Sequence, residues 1–265
     1  MSVKIGIVGY GFVGTAVHNA YDNGLFNQVI VVDVDPHKST GTFADLHTCD
    51  AVFVCVPSPS TESGECDTSI LNSVLYMLRD YKNVIISKTT APPKFYEKMQ
   101  TVYPNLVHIP EFLRADSAIQ DYIKEINAII GGSVAAYRNE AERIIKLAQP
   151  ITMVEHCSIG EAAFVKYTIN TYLATKVVFM NEMSELATAH GYKWDKIRVY
   201  LAEDNRLGLS HMKVPGPDGY YGFGGGCFPK DTTAWVKYAN KLGVQLSVLK
   251  TAIKKNVLLR LQKPK

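Results

Sequence analysis

The sequence predicts an α/β fold: a doubly wound, mostly parallel sheet over residues 1–156, then an all-helical domain over residues 157–265 with one long central helix. Three observations carry this reading. Short Val- and Ile-rich runs alternate with helix-like stretches through the first half, and such alternation builds a parallel sheet covered on both faces. A glycine loop follows the first run directly. After Ser158 the strand pattern stops, and roughly 30 residues keep a helical period.

The strand candidates in order are VKIGIVG (3–9), QVIVVD (28–33), AVFVCV (51–56), NVIISK (83–88), LVHIP (106–110), NAIIGG (127–132) and ITMV (151–154). They are nearly continuous in apolarity, as strands buried on both faces are. Helices are expected between them at 14–21, 70–79 and 136–148. The long segment 158–190 has no proline and no glycine after Gly160, and Ser158 ahead of Glu161 is a capping-box start. At 1.5 Å per residue such a helix is about 45 Å long. Phe164, Val165, Tyr167, Ile169, Tyr172, Leu173, Val177, Val178, Phe179 and Met180 make it apolar almost all round. A helix of that kind wants burial on several sides, so a homodimer through it is expected. Two or three further helices follow, interrupted by the Gly/Pro-rich stretch 214–229, and the last covers 246–261.

The chain has 265 residues, 47% hydrophobic and 20% charged, with a net charge of +3. Its Lys and Arg are scattered, so bulk charge makes no case for nucleic acid. No apolar run approaches the roughly 18–20 residues that span a bilayer, and MSVKIGIVGYG lacks a signal-peptide cleavage site. Five separated cysteines without any C-x-x-C argue against a disulfide framework or a zinc site. The expectation is a soluble cytoplasmic protein with free thiols, no membrane association and no metal.

Gly9-Tyr10-Gly11-Phe12-Val13-Gly14 is G-x-G-x-x-G between a strand and a helix. In that setting the glycines give the tight turn and let the backbone approach a pyrophosphate, which the free amides of the helix start receive. Asp33 ends the second strand 19 residues beyond Gly14, placed to accept from the adenosine ribose hydroxyls. This Rossmann-type signature favours NAD; Lys38 leaves NADP as the alternative.

GYYGFGGGCFPKD (219–231) sets three glycines before Cys227 and Lys230-Asp231 after it. A cysteine in a loop is more often a small buried hydrophobe. Here Gly224, Gly225 and Gly226 clear the approach to the sulfur, a cation favours the thiolate, and a carboxylate offers a general base. Such a thiol beside NAD suits aldehyde-level chemistry: addition gives a thiohemiacetal, hydride loss a thioester, and water an acid. Lys166 and Asn170 are one turn apart on the long helix, on a face continued by Ala162, Leu173 and Val177. A lysine buried there without a partner is costly, and a ligand-facing role removes the difficulty. Thr89 and Thr90 end the fourth strand, where sheets of this class place ligands, and Pro57 and Pro59 shape the loop after the third.

GYGFVG, CVPSPSTESGECDTS, SKTTAPP, PEFLRADSAIQD, EAAFVKYTINTYLATKVVFMNEMSELA, DNRLG and GFGGGCFPKD occur in this order. On these motifs the chain resembles the UDP-glucose/GDP-mannose dehydrogenase family along nearly its whole length. The resemblance implies two successive NAD-dependent oxidations of the C6 alcohol of a nucleotide sugar, with UDP-glucose favoured. The alternatives are GDP-mannose, a UDP-N-acetylhexosamine, or a non-catalytic NAD-binding module. It implies that Cys227 carries the thiohemiacetal and thioester, and that Asp231 and Thr90 orient or activate water. Glu111 would assist hydrolysis, Lys166 would stabilise the oxyanion and Asn170 would hold the reacting end of the sugar. Gly9, Gly11, Phe12, Val13, Gly14, Asp33, Lys38, Pro57, Thr90 and Lys230 would line the cofactor. Phe112, Leu113, Arg114, Gly224, Gly225 and Gly226 would join Glu111, Lys166 and Asn170 at the substrate. Arg206 would reach it across a dimer interface.

The chain departs from the family twice. Ala115, followed by Asp116, stands where the family carries a second glutamate. The chain also stops at Lys265, where family members continue into a second Rossmann-like domain. One wall of the nucleotide site is therefore expected from a dimer partner or a separate chain.

Overall fold

All seven apolar runs become strands of one sheet. They are β1 (Lys4–Val8), β2 (Gln28–Val32), β3 (Ala51–Val54), β4 (Val84–Ser87), β5 (Leu106–His108), β6 (Asn127–Gly131) and β7 (Met153–Cys157). The computed structural model describes residues 3–22, 28–114, 117–151 and 153–262. The departure at Ala115 and Asp116 lies outside them. The sheet order is β2-β1-β3-β4-β5-β6-β7, and every pairing is parallel except β5 with β6.

The helices are α1 (Phe12–Tyr21), α2 (Phe43–Leu46), α3 (Ser69–Met77), α4 (Pro93–Val102), α5 (Ala118–Lys124), α6 (Ala135–Ala148), α7 (Ile159–Ala189), α8 (Trp194–Ala202), α9 (Phe228–Lys241) and α10 (Ser247–Arg260). Ser158 caps α7 as its sequence predicts: its hydroxyl donates to Glu161 Oε2 at 2.7 Å and accepts from the Glu161 amide at 3.2 Å. Several elements go beyond expectation: the expected helices do not include α2, α4 and α5, and β7 is displaced toward Cys157. Pro92 takes the N-cap position of α4 and Pro93 its first helical position, where its missing N–H costs nothing. β7 runs to Cys157 because it is an edge strand, where Glu155 stays exposed and His156, on the other face, reaches Glu142 of α6 at 2.9 Å.

The chain divides into two compact units, Met1–Pro59 with Asp67–Lys166, and Ser60–Cys66 with Tyr167–Lys265. In the first, alternate strand residues feed opposite faces of the sheet. Ala51 and Phe53 pack with Tyr21 of α1, Tyr122 of α5 and Ile144 of α6. Val52 and Val54 pack with Leu75 of α3, Tyr96 of α4 and the first turns of α7 through Ile159 and Ala163. The second unit is helical. Tyr167 stacks on Trp235 of α9 at 4.7 Å, and Ala174 and Val178 pack with Phe223 and with Ala252 and Leu259 of α10. The segment Ser60–Cys66 belongs here: Lys241 pairs with Glu65 at 2.7 Å.

Candidate active site

The turn between β1 and α1 has the geometry a dinucleotide needs. Gly9 has φ +92, and a Cβ there would lie 2.8 Å from the Cys55 carbonyl oxygen. A Cβ on Gly14 would run into the Gly9 carbonyl, so α1 packs this close only through glycine. Around Gly11 a Cβ meets nothing within 4 Å, which leaves open space above the helix start for a pyrophosphate. Phe12 and Val13 open α1, and Phe12 is exposed. Asp33 follows β2, its carboxylate accepting from the Tyr10 amide at 2.5 Å and the Asp35 amide at 2.9 Å. Burial opposes its ionisation, but those amides and the Lys38 charge outweigh it and hold its pKa below the usual carboxylate value. These residues fit NAD.

Thr89 is buried and donates to the Val56 carbonyl at 2.9 Å, while Thr90 is half-buried at the end of the same loop. Ser58, between exposed Pro57 and Pro59, donates to the Thr90 carbonyl at 2.6 Å and so ties the loop after β3 to the loop after β4.

Beyond β5, Glu111 is 5% exposed. Its Oε1 accepts from Lys166 Nζ at 3.0 Å and its Oε2 from the Leu113 amide at 2.7 Å. Lys166 is 4% exposed, donates also to the Glu111 backbone carbonyl, and lies 5.3 Å from the centre of the Phe112 ring. This corrects the reason for its burial: the partner that makes it tolerable is Glu111 of the same unit. Arg114 is turned outward and forms a bidentate pair with Asp121. Sequence reasoning missed two buried bases nearby. Lys88, 3% exposed, sits 5.2 Å from the Tyr122 ring centre, and burial depresses its pKa. His108, fully buried, bonds the Ser87 carbonyl through Nδ1 at 2.9 Å, and burial pushes its pKa down to about 3.

In the second unit Cys227 is half-buried and occupies the N-cap position of α9. Pro229 lacks an N–H, but the amides of Phe228 and Lys230 in the first turn face no intrahelical carbonyl, and such a terminus favours negative charge. Asp231, 1% exposed, is held from both sides: Oδ1 accepts from Lys230 Nζ at 2.5 Å and Oδ2 from Asn170 Nδ2 at 2.7 Å. The Lys230 charge is thus committed to Asp231, so the expectation that it serves the thiol gives way to a tight ion pair.

The glycines divide in role. Cβ atoms on Gly225 and Gly226 would meet nothing within 4 Å, whereas one on Gly224 would lie 2.8 Å from the Arg260 guanidinium. Gly225 and Gly226 leave space toward the thiol; Gly224 permits packing against the Arg260–Asp218 pair. Arg206 is exposed and paired with Asp204 at 2.5 Å, in a loop that Lys176 fastens by donating to the Leu207 and Gly208 carbonyls at 2.8 and 3.1 Å. Among the described residues no group of His, Cys, Asp and Glu could hold a metal ion, and no helix is long and apolar enough to cross a membrane.

Comparison with known proteins bears on this arrangement. Residues 38–149 match the NAD binding domain of the UDP-glucose/GDP-mannose dehydrogenase family, and residues 160–257 match its central domain. The UDP-glucose 6-dehydrogenase TuaD of Bacillus subtilis (strain 168) is 26% identical over 298 residues, covering 96% of this chain and 62% of its own. A UDP-glucose dehydrogenase structure from Pyrobaculum islandicum superposes with a TM-score of 0.84 at 22% identity, over 97% of this chain and 68% of its own. A UDP-D-ManNAc dehydrogenase structure from Pyrococcus horikoshii reaches 0.80 at 19% identity, over 97% and 68%. The chain spans about half to two thirds of the length of the curated relatives it matches. The cofactor of the matched N-terminal domain is NAD. With both matched domains in family order on the expected fold, the chain belongs to the UDP-glucose/GDP-mannose dehydrogenase family.

Proposed function

We propose that this chain oxidises the C6 alcohol of a nucleotide sugar, UDP-glucose first among them, to the carboxylate. The observation that carries the reading is a half-buried thiol at the start of α9 in a unit that also holds the buried Asp231–Asn170 pair, with half-buried Lys230 against Asp231. One alcohol, two NAD and one water give one carboxylate, two NADH and three protons. NAD, when bound, accepts the hydride of each oxidation. The Cys227 sulfur bonds to the aldehyde carbon, the thiohemiacetal C–H is lost as hydride, and the thioester remains. Water then attacks its carbonyl and expels the Cys227 thiolate. Asn170, held by Asp231, hydrogen-bonds the reacting oxygen; the family resemblance supports oxyanion stabilisation for Lys166, assistance to hydrolysis for Glu111, and orientation of water for Thr90 and Asp231. Phe112, Leu113, Gly225, Gly226 and Arg206 line the sugar nucleotide.

In this reading a second copy of the chain pairs with the first through α7. Tyr172, Phe179 and Leu186 are each more than half exposed and recur every seven residues along α7, the spacing with which one helix pairs with another.

Purified protein with NAD and a panel of UDP-glucose, GDP-mannose and UDP-N-acetylmannosamine tests the function through NADH absorbance. Two NADH per UDP-glucose are expected, and Cys227→Ser should halt before the acid. Uronate formed at the normal rate by Cys227→Ser would sink the role of the thiol. NAD binding without NADH from any sugar would leave a non-catalytic module.

A further inference from the structure

We propose that Asn181 and Asn256 are positioning residues that seat the glycine loop ahead of Cys227; their catalytic consequence rests on the role of Cys227 proposed above. Asn181 is 3% and Asn256 7% exposed. The Gly222 amide donates to Asn181 Oδ1 at 3.0 Å, and Asn181 Nδ2 donates one turn back to the Val177 carbonyl at 2.8 Å, which fixes the orientation of the side-chain amide. Asn256 engages both polar groups of Phe223. Its Oδ1 accepts from the Phe223 N–H at 2.6 Å and its Nδ2 donates to the Phe223 carbonyl at 3.0 Å.

Two side chains therefore supply what a neighbouring strand would otherwise give this buried backbone. Gly222 has φ +73, and a Cβ there would overlap Asn256 Oδ1, so the loop and the amide are fitted to each other. The Phe223 ring, 4% exposed, packs with Val178, Ala252 and Leu259 and locks the same point from its apolar side. Only Gly224, Gly225 and Gly226 separate this seat from Cys227. Apolar side chains would fill these two positions without the desolvation cost of buried amides. What the amides add is a defined place for the backbone four residues before the sulfur, on a tether of three glycines with no stiffness of its own.

The test uses the full chain with Asn181→Ala, Asn181→Asp, Asn256→Ala and Asn256→Asp. Three readouts are taken: the melting temperature, hydrogen exchange of a peptide covering Gly222 and Phe223, and iodoacetamide alkylation of Cys227 relative to Cys157 of the other unit. Each alanine variant should exchange on the order of tenfold faster or more at the seat, since Asn181→Ala removes the bond to Gly222 and Asn256→Ala both bonds to Phe223. Cys227 alkylation should fall about threefold or more, because the approach past Gly225 and Gly226 is already open and what is lost is the thiol's place at the helix start. Asn181→Asp loses the donor to the Val177 carbonyl and Asn256→Asp the donor to the Phe223 carbonyl, so neither should restore the readouts.

Folded variants with unchanged exchange would show that no such seat exists. Faster exchange with unchanged alkylation would make the amides structural only. Should the alanine variants fail to fold, exchange in the wild-type chain decides, and Gly222 and Phe223 amides without protection would overturn the proposal. Alkylation needs no sugar, so a chain that oxidises none still answers the question.

Discussion

Lys166 shows how a buried charge is made tolerable by one partner. Its ammonium and the Glu111 carboxylate have side chains only 5% and 7% exposed and sit 3.0 Å apart. Removing one partner of a buried pair leaves an uncompensated charge, so Lys166→Met should destabilise the first unit by about 3–5 kcal/mol. Lys166→Met with Glu111→Gln should recover most of that loss, and denaturant midpoints of the three proteins would decide it. Additive losses in the double variant would mean that the pair is not the reason for the burial. His108 gives the protein a pH dependence of its own. Its folded pKa lies near 3 against an ordinary 6.5, because burial opposes the charged ring. The folded state then refuses a proton that the unfolded chain accepts. Its contribution is complete above pH 6.5 and is lost as pH falls toward 3, at about 1.4 kcal/mol per pH unit inside that window. The stability difference between wild type and His108→Gln should shrink across this range, and parallel curves would contradict the assignment.

β6 and α7 meet closely enough to leave no room for a side chain. A Cβ on Gly131 would lie 2.6 Å from Ala162 Cβ and 2.9 Å from both Ile159 Cα and the Ser158 carbonyl oxygen. Gly131→Val should therefore cost about 1–3 kcal/mol or more in urea unfolding, the usual toll of overpacking; a neutral result would mean that the helix yields freely. Nothing in NAIIGG announces this, since the obstacle comes from residues about 30 positions later. The same limit explains most of what sequence reading left out. The strands are legible because apolar runs and their turns are local features. The α7 start is legible because Ser158 and Glu161 lie one turn apart. Glu111 and Lys166 are 55 residues apart, and Phe223 and Asn256 are 33 apart. Motif matching found Glu111, Lys166, Asp231 and Asn170 as separate residues, but their pairing exists only in the fold. Asn181 and Asn256 gave no signal, because an asparagine on an otherwise apolar helix face looks like any other polar substitution.

At the scale of the molecule, α7 and α10 are less covered than helices of this apolarity usually are. Tyr172, Phe179 and Leu186 of α7 are 59%, 52% and 53% exposed, and Val248 of α10 is 74% exposed. A groove of about 390 Å³ between the two helices is lined by Val178, Phe179, Val248 and Ala252, with Glu182 and Lys255 at its edge. Pairing of two chains through this face predicts a sedimenting species of twice 29.3 kDa at micromolar concentration, reduced to single chains by Phe179→Asp. A wild-type protein that sediments as single chains would remove the face from consideration. The attachment of the glycine loop to α10 bears on a practical matter, how far the gene can be trimmed. A cut after Gly243 retains codons for Cys227, Asp231 and Asn170 while discarding Asn256 and Arg260. Such a fragment would keep Cys227 and lack the side chain that holds both polar groups of Phe223. The cloning boundary that keeps this loop seated therefore falls no earlier than the final turn of α10.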